Sequence, residues 1–245
     1  MSLQSKSGPG LALHYERLWR GCEIDPGREL EAEALAKRIV HAKARYLRVS
    51  ALCGLPWQLV GCLHAMEAGC DFLRGIQDGA PFFGGLEAWN KDAATIIKRH
   101  PWPEFWTWSH AWQWLAYAEA WNGWGYLHWH PEDLSPYVWA ATTLSDEHGK
   151  YTVDGQYRSN ARTAQIGVAA ILTIFNYLSG AEIDFLGLTT HDARAAGDSQ
   201  WYESIRLQQL LNDISPAVPP LAIDGAVGPK TRLRLIETMR EKGWF

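Results

Sequence analysis

Residues 55–71 read Leu-Pro-Trp-Gln-Leu-Val-Gly-Cys-Leu-His-Ala-Met-Glu-Ala-Gly-Cys-Asp, and this stretch constrains the fold more than any other. Pro56 suits a first helical turn, where its missing N–H has no partner to lose. Leu59, Val60, Leu63 and Met66 recur at helical spacing, and Gly69 offers an end. The segment is therefore expected to be a buried helix with the core assembled around it. Glu67 has no polar neighbourhood of its own and sits near the negative end of the helix dipole. Both effects disfavour its charged form. A carboxylic acid still protonated near neutral pH can protonate a glycosidic oxygen. A glutamate late in a helix is also commonly a solvated surface residue, and His64, one turn earlier, is more often a hydrogen-bonded core histidine than a ligand or base.

The 245 residues suffice for one good core plus a small module, and the net charge of −4 does not suggest a nucleic-acid partner. Fourteen tryptophans are unusual, and they are densest between Trp102 and Trp139. They could fill a core or rim a groove as platforms for sugar rings, and both roles can coexist in one set. Cys22, Cys53, Cys62 and Cys70 form no Cys-x-x-Cys pair, so buried reduced thiols are expected, with no metal site and no cofactor. Met1 to Gly10 lacks the apolar core of a secretory signal, and no later run is long enough to span a bilayer. The expectation is synthesis in the cytoplasm, a monomer, and no stable membrane insertion.

Along the chain, an apolar stretch at Leu11 to Trp19 precedes a Pro26-Gly27 break. Arg28 to Ala51 has the periodicity of one long amphipathic helix. Breakers crowd Arg74 to Gly85, where at most a short hairpin is expected. Leu86 to His100 reads as a helix. Another runs to about Trp121, capped by Thr107 or Ser109. Asn122 to Tyr126 breaks it, a loop follows through Gly155, and Thr163 to Leu178 is an apolar helix that closes the core. The fold class is mainly α, with a first domain over 1–180, a linker over 181–197 and a small helical module over 198–245.

Several of these stretches together resemble a known family. From Pro56 to Leu172 the chain resembles the lysozyme-like catalytic domain of phage endolysins and related bacterial peptidoglycan hydrolases. The resemblance rests on His64, Glu67, Ala68, Asp71 and Phe72, then Asn-Gly-x-Gly-Tyr at 122–126, Ser-Pro-Tyr-x-Trp at 135–139 and Gly-Lys-Tyr-x-x-Asp-Gly at 149–155. Residues from Trp201 onward are similar to the small helical peptidoglycan-binding module, through Leu-Gln-x-Leu-Leu-Asn at 207–212 and Asp-Gly-x-x-Gly-Pro-x-Thr at 224–231. Two departures stand out. Ala68 replaces the family's usual serine, and Asp78-Gly79-Ala80-Pro81 stands where the family reads Asn-Gly-Asp-Pro.

The resemblance implies a glycosidase acting on bacterial peptidoglycan, at the β-1,4 bond between N-acetylmuramic acid and N-acetylglucosamine, with Glu67 as general acid. Made in the host cytoplasm without a signal peptide, it would act on the cell wall, in the periplasm, after release. The second carboxylate that two-carboxylate hydrolysis needs is sought among Asp78, Glu119 and Asp71. His64, Asn122, Tyr126, Tyr137 and Trp139 are the expected substrate-binding residues, and Asp224, Gly225, Gly228 and Thr231 mark the wall-binding module. A lytic transglycosylase needs only one acid and is the main alternative. A binding protein without catalysis is another. A metalloamidase using His64, His128 and His130 lacks the zinc-protease spacing. A cysteine peptidase pairing Cys70 with His64 would put its thiol at the wrong end of a helix.

Overall fold

Glycine 54 takes a left-handed φ of 82° and closes one helix, and Pro56 opens the next at 110° to it. That corner is the centre of the architecture. The computed structural model describes residues 9–104, 106–130, 133–145, 148–153, 156–178, 207–208, 211–212, 220–221 and 229–241. In chain order the described elements are α1 (Pro9–Arg20), α2 (Glu29–His41), α3 (Lys43–Cys53), α4 (Trp57–Ala68), α5 (Gly85–Lys98), α6 (Ala111–Trp121), α7 (Gly125–Trp129) and α8 (Pro136–Trp139). They continue with the strands β1 (His148–Val153) and β2 (Gln156–Arg162), then α9 (Val168–Leu178) and α10 (Pro229–Glu241). The fold is mainly α, with one two-stranded antiparallel sheet among the described residues.

Every residue of α4 from Trp57 to Ala65 is buried. Helices α2, α3 and α9 pack directly on it, while α6 packs on α1, α8 and α9. The expected surrounded helix is therefore present. Gly61 makes the packing possible: a Cβ there would collide with Ile39 of α2 and lie 3.2 Å from the Tyr46 ring of α3. Gly61→Ala should cost about 1–3 kcal/mol through overpacking, read as a lower urea midpoint at unchanged slope. A variant as stable as the parent would mean that α4 does not approach its neighbours this closely.

Other expectations need correction. The helix from Arg28 to Ala51 is two helices. Ala42 leaves helical geometry (φ −90°, ψ 7°), and its N–H is shared between the Arg38 and Ile39 carbonyls. The break lets Ala32, Leu35, Ala36 and Ile39 of α2 and Tyr46 and Val49 of α3 all enter the core. The expected loop after Tyr126 contains α7, α8 and the hairpin. There Lys150 faces Arg158, Tyr151 faces Tyr157, and Val153 faces Gln156, so two residues separate the strands. Helix α6 is not capped by Thr107 or Ser109, whose hydroxyls bond each other. Gln113 Oε1 instead accepts the His110 N–H at 3.3 Å. The stretch from Arg74 to Phe83, where at most a short hairpin is expected, agrees with that reading: it holds one isolated antiparallel bridge, between Arg74 and Pro81.

Most tryptophans proved to be core. Trp19, Trp57, Trp89, Trp106, Trp112, Trp114, Trp124 and Trp139 are buried. Around α6, Trp102, Trp106, Trp108, Trp112 and Tyr117 meet edge to face at 5.1–5.8 Å, the arrangement that ring quadrupoles favour. The linker at 181–197 lies outside the described residues, as do Asp224, Gly225 and Gly228. Within the C-terminal segment, Thr231 is buried and its hydroxyl accepts from Gln208 Nε2 at 3.3 Å, while the Asn212 side chain bonds both backbone groups of Leu221.

Candidate active site

Glu67 is the penultimate residue of α4. The helix ends on Gly69 (φ 60°), whose N–H bonds the Ala65 carbonyl, and the Cys70 N–H reaches back to His64. The carboxylate therefore stands beside the helix's negative end. Two donors converge on one of its oxygens: Tyr137 Oη–H at 2.8 Å and Trp121 Nε1–H at 3.1 Å both reach Oε1. Among the described residues no hydrogen bond reaches Oε2. The proton of the neutral acid thus belongs on Oε2, because Oε1 is already accepting twice. Burial raises the pKa of Glu67 most. The Tyr137 and Trp121 bonds pull it back, and the Asp78 charge adds to the rise, leaving a net upward displacement. Tyr137 is buried and beside Glu67, which holds its phenol well above the usual range, so it remains a donor.

Asp78 reaches this site by a backbone contact. Gly79 has φ 61°, and a Cβ there would lie 2.6 Å from the Glu67 carbonyl oxygen, so only glycine lets the turn press against the end of α4. Asp78 itself is exposed, and its Oδ1 accepts the Ala80 N–H at 2.9 Å. Asp71 is likewise exposed and accepts the Leu73 N–H.

A groove of about 1060 Å³ opens beside Tyr137. Asn122, Tyr126 and Tyr137 line it. The hairpin supplies Lys150, Tyr151 and Tyr157, and α7 supplies Trp129, three-quarters exposed. Tyr126 Oη accepts the Tyr151 N–H at 3.0 Å, which ties the hairpin to α7, and burial pushes its phenol up to about 12. His130 stacks on Tyr157 at 3.6 Å, and the Tyr157 hydroxyl bonds Asp133. The groove is thus walled by aromatic faces with hydroxyl, amide and ammonium groups between them. Such a surface suits flat, half-apolar rings carrying polar substituents.

Three expected site residues lie elsewhere. His64 is fully buried. Its Nδ1 faces Tyr46 Oη at 2.9 Å, and its Nε2 faces the Asp71 carbonyl at 3.1 Å. A carbonyl can only accept, so Nε2 carries the hydrogen and Nδ1 accepts from Tyr46. Both nitrogens are engaged, and burial lowers the pKa to about 4, so the ring is a neutral strut between α3, α4 and the Asp71 turn. Trp139 is buried and stacks on Tyr15 of α1 at 6.2 Å, away from the groove. Glu119 is 3 % exposed, hydrogen-bonded by Tyr15, and shares a cavity of about 20 Å³ with His14, Tyr126 and Ser135. A polymer in the groove cannot reach it without repacking. Burial also raises the Cys70 thiol, which with the engaged His64 removes the basis for a cysteine-peptidase pair.

Trp121 and the hairpin residues were missed in the sequence. Trp121 belongs to the tryptophans whose role the sequence leaves open between core and groove, and nothing in its neighbours singles it out. The hairpin carried a usable signal in Asp154-Gly155, a dipeptide favoured in two-residue hairpin turns, with a tyrosine on either side of it at 151 and 157. No protein family, curated protein or solved structure matches the chain.

Proposed function

We propose that the chain is a peptidoglycan glycosidase with a lysozyme-like catalytic domain, cleaving the β-1,4 bond between N-acetylmuramic acid and N-acetylglucosamine. The observation that carries this reading is Glu67: a carboxyl with a raised pKa and two donors on one oxygen, one of them Tyr137, which also lines the aromatic groove. Oε2 of the neutral acid donates its proton to the bridging oxygen as the C1–O bond breaks. The negative charge left on Glu67 is met by bonds from Tyr137 and Trp121 that are already formed, so little reorganisation is needed as charge develops. Asn122, Tyr126 and Tyr151 supply contacts for hydroxyl and acetamido groups. Residues 198–245 are read as a wall-anchoring module.

A second reading on the same bond has specific support. Asp78 is exposed and engaged in its own turn, and Glu119 is enclosed in the core. Glu67 thus stands without an enclosed carboxylate partner among the described residues, which favours a lytic transglycosylase. In that reaction the muramic acid C6 hydroxyl attacks C1 and its proton passes to the Glu67 carboxylate; in hydrolysis a water does so. Mass analysis of soluble muropeptides separates the two. A reducing muramic acid end supports hydrolysis, a product lighter by one water supports the transglycosylase, and intact glycan strands would sink both.

Tyr137→Phe probes the donors directly. Removing a hydrogen bond to a charged group costs about 1.5–3 kcal/mol, which slows lysis roughly tenfold to a hundredfold. Because the lost donor favoured the carboxylate, the Glu67 pKa rises further and the alkaline limb of the pH–rate profile moves to higher pH. A slower enzyme with an unmoved limb would show that Tyr137 acts on the substrate and leaves the proton donor unaffected.

A further inference from the structure

From Ala34 to Met66 the sequence contains no aspartate or glutamate, yet Lys37, Arg38, His41, Lys43, Arg45 and Arg48 fall within one short stretch of it. In a chain of net charge −4, positive charge is therefore gathered in one place. The structure puts this stretch at the α2–α3 corner. Lys37, Arg38, His41 and Arg45 line an open groove of about 670 Å³ whose floor includes Ala42, Cys70 and Phe72. The Arg45 guanidinium lies 4.3 Å over the Phe72 ring, and Arg38 donates to the Gly69 carbonyl at 3.3 Å. Glu33 pairs with Lys37 at 2.7 Å, but among the described residues no carboxylate pairs with His41, Lys43, Arg45 or Arg48.

The second observation is apolar. Helix α3 buries Tyr46 and Val49 and turns Lys43, Leu47, Arg48, Ala51 and Leu52 to solvent along one side. Val40, on the last turn of α2, is exposed next to them in the chain. Single exposed leucines need no explanation, but here Leu47 and Leu52 lie on the same exposed side of α3 as Arg48 and as Lys43, whose Nζ stands 5.4 Å over the Trp57 ring. A soluble polyanion would engage the cations and leave Leu47 and Leu52 in water. A lipid surface satisfies both, since leucines enter the acyl boundary while lysine and arginine stems extend to the phosphates.

We infer that the α2–α3 corner is a docking surface for an anionic phospholipid bilayer, with Leu47 and Leu52 inserted and Lys43, Arg45 and Arg48 at the headgroup phosphates. The face shares no residue with the groove beside Glu67, so the inference stands apart from the glycosidase reading.

The test is sedimentation of the full chain with vesicles of phosphatidylglycerol and phosphatidylcholine, against vesicles of phosphatidylcholine alone. Binding should require the anionic lipid and weaken steeply with salt. Arg48→Glu combined with Lys43→Gln should lower partition onto the anionic vesicles by at least tenfold. Leu47→Ser with Leu52→Ser should also lower it, at unchanged charge. All four positions are exposed, and circular dichroism checks that the variants are folded. Equal binding to both vesicle types, or partition untouched by both double variants, would overturn the proposal. So would soluble polyphosphate binding as tightly as the anionic vesicles with no loss in the leucine variant, since the face would then take a phosphate polymer.

Discussion

Glu67→Gln is expected to bring cell-wall lysis down to background while the protein stays folded. Glutamine fills nearly the same volume and keeps an oxygen that can accept from Tyr137 and Trp121, the two donors on Oε1. It has no proton to give. Loss of a general acid costs on the order of 100- to 10,000-fold in rate. The effect on stability has a predictable sign. A carboxyl whose folded pKa is raised weakens the fold as pH climbs from the unfolded value toward the folded one, because the unfolded chain ionises first. Glutamine removes that penalty. The variant should therefore match the parent in acid and exceed it modestly at neutral pH, as read by urea denaturation at both. Near-parental lysis with the same muropeptides would move the proton donor elsewhere and leave the end of α4 a matter of packing.

The second large effect is on stability and belongs to His64. Its folded pKa of about 4 lies below the ordinary 6.5 because the ring is buried. Above pH 6.5 the imidazole is neutral in both states, and its contribution to stability is fully present. As pH falls from 6.5 toward 4, the unfolded chain takes up a proton that the folded chain refuses, and stability is lost. At about 1.4 kcal/mol per pH unit, the loss by pH 4 is on the order of 3 kcal/mol. Urea denaturation between pH 4 and 7 should show this slope in the parent. His64→Gln should be weaker at pH 7, because the Tyr46 and Asp71 bonds are disturbed, but flatter below it. Glu67, whose folded pKa is raised, acts with the opposite sign as pH climbs past its unfolded value, so the slope is cleanest in a Glu67→Gln background. Parallel curves for parent and His64 variant would mean that His64 takes up protons freely in the folded state.

The two effects define a working range. Acid charges a strut that the core needs neutral, and alkali ionises the proton donor. Activity of the intact protein should therefore be confined between the loss of the fold and the loss of the Glu67 proton. Tyr46, through its bond to His64, belongs to the acid limit, and Tyr137 to the alkaline one.

What could be read without a structure was local. The end points of α4 and its burial follow from apolar residues at helical spacing between Pro56 and Gly69, because a helix's period and caps are written within a few residues of one another. The mainly helical class follows in the same way. The tertiary structure decided everything that depends on distant residues meeting. Trp121 and Tyr137, 54 and 70 positions beyond Glu67, pull back the pKa that burial raises, and no periodicity links them to it. Burial separated residues that looked alike in sequence: Tyr137 meets Glu67, while Trp139 two residues later stacks on Tyr15. Glu119 and His64 carry the side chains that a site would use, but packing closed Tyr15 over one and Tyr46 and Phe72 over the other. Even the break at Ala42 is tertiary in origin. No glycine or proline stands there, and the bend is held by a shared N–H and by the core contacts of the helices on either side.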